Sequence, residues 1–262
     1  MLVWFLQRPR LYPQLMYLAL KKLSRASYVK NDTRQEAMQW CAERCVDSST
    51  AIERLTGFRA PEPIERLFPD VFSIAARQAN ECPTVMGGPG DLDLLYSVAE
   101  HLKAVHVIET GVAYGWSSLA ILLSLKDRVG SRLISTDMPI PNGSSEQYVG
   151  CVVPPEIRCH WSVLRWADRQ ALPKALKELS AIELCHYDSD KSYEGRMWAY
   201  PKLWKALSQD GVFISDDIGD NVAFREFSQA VACEPLIVKK DAKDLSMKYI
   251  GVLVKRGDSQ TR

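Results

Sequence analysis

From residue 92 to the carboxyl end, short apolar runs alternate with amphipathic stretches. In order they are LDLLYSVAEHL, VHVIET, SSLAILLSL, RLISTD, RCHWSVL, LPKALKEL, IELCHYD, EGRMWAYPKLWKAL, GVFISDD, AFREFSQAVA, LIVKK and KYIGVLVKR. LDLLYSVAEHL, SSLAILLSL, LPKALKEL, EGRMWAYPKLWKAL and AFREFSQAVA read as helices, with Pro201 expected to kink or reset its helix; the other runs read as strands. Strands that are apolar on both faces must be covered on both faces, so the pattern predicts a parallel sheet layered by helices. KYIGVLVKR follows LIVKK after only a short polar turn and is expected to run antiparallel to it.

Residues 1–85 have a different texture. DTRQEAMQWCAERCVDSSTAIERL carries apolar positions at helical spacing, PEP near residue 61 and CP near residue 82 are breaks, and no strand stands out. The expected organisation is a helical extension over 1–85 and an α/β domain over 86–262. In MLVWFLQRPRLYPQLMYLALKKL the longest apolar run after the prolines, LMYLAL, is far short of a membrane span, and no basic n-region or cleavage site marks a signal peptide. This segment is expected to dock as a helix on its own domain or on a second subunit, which leaves a homodimer open. The alternative is an interfacial helix touching lipid headgroups through Lys21, Lys22 and Arg25.

A chain of 262 residues, 47% hydrophobic and 25% charged, suffices for one large core with an appendage. Its 33 Lys and Arg nearly balance 32 Asp and Glu, so there is no overall field to gather nucleic acid or an anionic membrane, and a small-molecule partner is expected. The seven cysteines lack the paired knuckles of a zinc site and read as reduced thiols of a cytoplasmic protein.

In an open parallel sheet, ligands bind at the carboxyl ends of the strands. The strand-ending residues here are acidic: Glu109, Asp137, Asp188 and the pair Asp216 and Asp217. Carboxylates gathered on one rim repel unless a cationic group sits among them, so the rim implies a ligand. In ETGVAYGWSS, Gly111 and Gly115 permit a tight turn and the close approach of a ligand to the backbone, while Ser117 and Ser118 open a helix whose N–H groups attract negative charge. The spacing is neither the GxGxxG of a dinucleotide site nor a Walker loop, since Ala113 stands where the second glycine would be. Glu109 suits an ammonium, the helix start suits a carboxylate, and Asp137 is placed to take a ribose diol. An amino-acid tail joined to a ribose is the outline of S-adenosylmethionine.

ETGVAYGWSS resembles the first motif of class I S-adenosylmethionine-dependent methyltransferases in its catechol O-methyltransferase-like form, ExGxxxGxS. The resemblance covers residues from about 85 to 255. It implies a Rossmann-like, mostly parallel seven-stranded sheet with the last strand antiparallel, and it places Ala113 and Tyr114 in the cofactor loop. By the same resemblance Met138 packs on the adenine and Ala167 with Asp168 holds its amino edge, although Trp166 stands where the family usually has glycine.

YDSDKSYEG and SDDIGDN end successive strands. Asp188, Asp216 and Asp217, with no cysteine or histidine among them, form a hard oxygen set suited to Mg²⁺ or a similar ion. The pattern is similar to that of metal-dependent O-methyltransferases, in which a basic residue lies three positions after the first aspartate. Many relatives carry IDGDHSYEG, whereas catechol O-methyltransferase has lysine there, as here at Lys191. The resulting expectation is a Mg²⁺-dependent O-methyltransferase acting on a small molecule with hydroxyl groups, such as a sugar, polyphenol or natural product. Lys191 would accept the hydroxyl proton if neighbouring positive charge lowers its pKa. Two alternatives stay open: a cofactor-binding regulatory protein without turnover, and an enzyme using the same rim for another reaction. The acceptor pocket is expected between the helical region before residue 85 and the Pro139–Pro155 loop, which reads as a lid, with Tyr148 and Tyr193 as candidates to face it. His101, His106, His160 and His186, and Trp161, Trp198 and Trp204, are expected to be structural.

Overall fold

The computed structural model describes residues 4–5, 7–23, 33–139, 145–241 and 247–257. Its helices are α1 Tyr12–Leu23, α2 Arg34–Ala42, α3 Ser48–Thr56, α4 Ile64–Leu67, α5 Pro69–Asn80, α6 Leu92–His101, α7 Trp116–Leu125, α8 Asp168–Glu178, α9 Tyr193–Ala206 and α10 Ala223–Ala230. The strands are β1 Cys45–Val46, β2 His106–Thr110, β3 Arg132–Thr136, β4 Trp161–Leu164, β5 Ile182–Tyr187, β6 Leu207–Ser215, β7 Leu236–Asp241 and β8 Met247–Val254. They form one sheet in the order β1-β7-β8-β6-β5-β2-β3-β4. β8 runs antiparallel to both β6 and β7, and all other pairings are parallel.

Eight strands stand where seven were expected. The extra one, β1, comes from the region read as purely helical: Cys45 and Val46 pair with Ile237 and Val238 at the sheet edge. Ala51, Ile52, Ile64, Phe72 and Ala75 from that same region share a buried cluster with Leu94, Leu95, Val98, Leu119 and Leu122. α7 is apolar around its circumference, and every residue from Ser117 to Leu125 is buried, as a helix without a polar face must be. α9 continues through Pro201 from Tyr193 to Ala206, so the expected reset does not occur. RCHWSVL divides into a 3₁₀ segment, Pro155–His160, and the short β4.

The chain order decides where a ligand fits. From β2 it proceeds outward to β3 and β4, then returns to β5 on the other side of β2. Strand order therefore reverses between β2 and β5, which opens a crevice at their carboxyl ends. α1 docks beside that end of the sheet: Leu11, Leu15 and Leu18 pack with Trp4, Phe5 and Met138, the last lying two residues beyond β3.

Candidate active site

The loop leaving β2 holds three left-handed residues in five: Gly111 (φ 83°), Ala113 (φ 48°) and Gly115 (φ 91°). Ala113 takes this conformation without the freedom of glycine, a local cost on the order of 1–3 kcal/mol. A Cβ at Gly111 would collide with the carbonyl oxygen of Asp188, and one at Gly115 would lie 3.0 Å from Cα of Gly150. The close approach read from these glycines is thus an approach of neighbouring chain. Gly150 N–H donates to Ala113 O (2.9 Å) and Val152 N–H to Tyr114 O (3.2 Å), so the Pro139–Pro155 loop is tied to the β2 loop. Its residues 140–144 lie outside the described residues, while Val152 and Val153 are core. The described part is thus fixed in place rather than free to close as a lid. The Tyr114 hydroxyl donates to Thr84 O (3.0 Å) and accepts from Met86 N–H (3.3 Å), fixing the segment before α6 over the same loop.

Glu109 is fully buried. One carboxylate oxygen accepts from Ser117 (2.6 Å), and the other from Ser118 (2.5 Å) and Ser135 (2.6 Å). The serines expected to meet a ligand carboxylate therefore spend their hydroxyls on Glu109, leaving the first N–H groups of α7 as the anion-facing donors.

Asp137 follows β3 and is held by the Arg165 guanidinium, which also bonds Glu146 (2.6 Å). Burial outweighs Arg165 and raises the Asp137 carboxyl to about 6. Met138 packs under the N-terminal segment, and Ala167 is buried at the start of α8. Asp168 accepts from Thr136 (2.9 Å) and from Ser189, and burial raises its pKa. Thr136, Asp168 and Ser189 thereby join the ends of β3, α8 and β5.

The rim aspartates are brought together by cations. Lys191 lies 3.1 Å from Asp188 and also pairs with Asp217, which Lys248 approaches to 3.5 Å. Burial would raise Asp217, but Lys191 and Lys248 leave it below its ordinary value. Burial would lower Lys191, yet Asp188 and Asp217 outweigh it and raise its pKa, the reverse of what a proton-accepting lysine requires. Asp188 goes the other way: burial and Asp216 raise it to about 6 despite Lys191. As arranged, these residues do not fit a divalent ion. The Lys191 ammonium holds the position between Asp188 and Asp217, Asp216 turns toward a buried histidine, and among the described residues no three acidic, histidine or cysteine side chains could hold a metal.

Residues 108–218 match the family of methyltransferase domains. No curated protein matches the sequence significantly. Among solved structures, an O-methyltransferase from Bacillus cereus in complex with SAH is 13% identical with a TM-score of 0.56, covering 79% of this chain and 98% of its own. The O-methyltransferase TomG from Streptomyces achromogenes, involved in tomaymycin synthesis and solved with SAM, is 15% identical with a TM-score of 0.55, covering 74% and 94%. The SAH-bound methyltransferase PaMTH1 of Podospora anserina is 12% identical with a TM-score of 0.51, covering 80% and 94%. The match to the methyltransferase domain spans residues 108–218, and these solved structures share the fold of the chain.

Three residues within this stretch were not read from sequence as part of the site, His186 having been expected to be structural. His186, buried within β5, stands beside Glu109 in register; its Nδ1 lies 3.5 Å from Glu109 and its Nε2 3.5 Å from Asp216. Burial would lower its pKa, but Asp216 and Glu109 outweigh it and raise it to about 10. Arg196 is fully buried and donates to the carbonyls of Asp216 (3.2 Å) and Asp217 (2.8 Å), fixing the turn after β6, where Asp217 has φ 52°. Arg165 is the third. Only the unusual placement of a histidine mid-strand and an arginine in a buried helix turn could have signalled the first two. The Tyr193 hydroxyl donates to Glu226. Trp161 donates to Ser135 (2.8 Å), Trp204 packs on Phe227, and His160 pairs with Ser131 (2.9 Å), as structural residues do.

Proposed function

We propose that the chain is an O-methyltransferase, transferring the methyl group of S-adenosylmethionine to a hydroxyl of a small molecule such as a sugar, polyphenol or natural product, in the cytoplasm. The observation that carries this reading is Asp188. Its backbone meets Gly111 of the cofactor loop at the switch point, and its carboxyl, raised to about 6, stands on the rim beside Lys191. A carboxylate tuned toward neutrality is matched to accept a hydroxyl proton. When bound, S-adenosylmethionine would supply the methyl group, its sulfur keeping the bond pair as the oxygen–carbon bond forms, and Asp188 would take the hydroxyl proton. Lys191, held charged, orients the carboxylate and offsets the negative charge of the rim.

Asp137 and the first N–H groups of α7 would hold the cofactor's ribose and carboxylate, and Met138 with Ala167 would line its base. The expected Mg²⁺ supplies no step here, because Lys191 stands where it would bind. The O-methyltransferase neighbours are consistent with an oxygen acceptor, and seven free thiols with a reducing compartment.

Calorimetric titration with S-adenosylhomocysteine should show binding that EDTA leaves unchanged. Transfer of labelled methyl to a panel of hydroxylated compounds should fall by roughly 10²-fold or more in Asp188→Asn, with cofactor affinity retained. Absence of binding heat, or transfer only to nitrogen or sulfur acceptors, defeats the reading.

A further inference from the structure

Among the described residues, one side of α1 packs inward: Leu11, just ahead of the helix, with Leu15 and Leu18, meets Trp4, Phe5 and Met138. On the opposite side Met16 and Leu20, 66% and 61% exposed, lie at four-residue spacing as an apolar stripe, with Ala19 exposed alongside. A helix settled in its own domain has no need of such a stripe, and a helical stripe of this kind is a contact surface.

Charge decides what the stripe contacts. The first 31 residues hold six Lys and Arg (Arg8, Arg10, Lys21, Lys22, Arg25 and Lys30) and no Asp or Glu, whereas the remaining chain is net acidic. A second copy of this segment brought up through a two-fold axis would oppose like charges. An anionic surface would neutralise them. Beside the helix, Arg10, Trp166, Gln170 and Lys174 line an open groove of about 590 Å³. The groove is joined to the helix entrance by the hydrogen bond from Gln170 to Arg10 O (2.7 Å), and the Lys174 ammonium lies 3.2 Å from the centre of the Trp166 ring. Two cations and an indole at the entrance to a helix with an exposed apolar stripe are the components of an interfacial anchor, the cations meeting phosphate headgroups and the stripe meeting acyl chains. Among the described residues no helix is long and apolar enough to cross a membrane.

We infer that α1 and the Arg10–Lys174 groove dock the chain on the surface of an anionic lipid bilayer. The test is flotation of the full chain with vesicles of phosphatidylcholine alone and of an equal mixture with phosphatidylglycerol. The expected result is flotation with the mixed vesicles only, reversed by high salt, and reduced at least about tenfold in the double variant Met16→Glu, Leu20→Glu. The double variant Arg10→Glu, Lys174→Glu should lose flotation without touching the apolar stripe. Unchanged S-adenosylhomocysteine titration in both variants shows that the fold is intact. The inference is overturned by absence of flotation at low salt, by undiminished flotation of the variants, or by a dimer in sedimentation equilibrium that Met16→Glu, Leu20→Glu dissolves.

Discussion

Glu109, His186 and Asp216 form a buried line from the cofactor loop to the rim, with the imidazole 3.5 Å from each carboxylate. Those carboxylates raise His186 to about 10 against the opposing effect of burial. The unfolded imidazole titrates near about 6.5, so the cluster's stabilisation is complete below that pH and is lost as pH rises through the folded value. Urea midpoints of the native chain should therefore decline between neutrality and pH about 10, and this part of the decline should vanish in His186→Gln. Asp137 predicts a different pH dependence. With a carboxyl raised to about 6, it is neutral under mildly acidic conditions and would then give up the charge-assisted bonds to ribose proposed for it. Affinity for S-adenosylhomocysteine should fall as pH drops through about 6, with a flatter profile in Asp137→Asn.

Elements with strong local patterning were legible, and those that depend on distant partners were not. VHVIET, RLISTD and IELCHYD became β2, β3 and β5 because their apolar content and length allow little else. β1 has two residues, too few for any periodicity, and exists because β7 offers an edge. The same division runs through the site. The acids could be found from their position at strand ends, but Ser135 on Glu109, the guanidinium on Asp137 and the Asp217 carboxylate on Lys191 come from separate segments of chain. LDLLYSVAEHL became α6, and the structure adds its cap: Asp91 accepts from Leu94 N–H at 3.0 Å while 7% exposed. Asp91→Ala should cost about 1 kcal/mol, and Asp91→Asn much less, in equilibrium denaturation.

Cofactor binding should be visible in the whole molecule's stability. The proposed cofactor site lies across the ends of β2, β3 and β5, neighbours in the sheet, so its occupancy would favour the folded chain over the unfolded one. At a hundredfold excess over its dissociation constant, S-adenosylhomocysteine should contribute about 2.7 kcal/mol. For a chain of this size that corresponds to a rise in Tm of roughly 5–10 °C, measurable by scanning calorimetry. The sheet's outermost pairing bears on how the protein is born. Cys45 lies beside Ile237, and β7 is itself flanked by β8, so an early-made strand finds its neighbour only after nearly two hundred further residues have been made. Until β7 and β8 have left the ribosome, the nascent polypeptide must carry an unclosed border, and its maturation waits on those late strands rather than on the emergence of its first half.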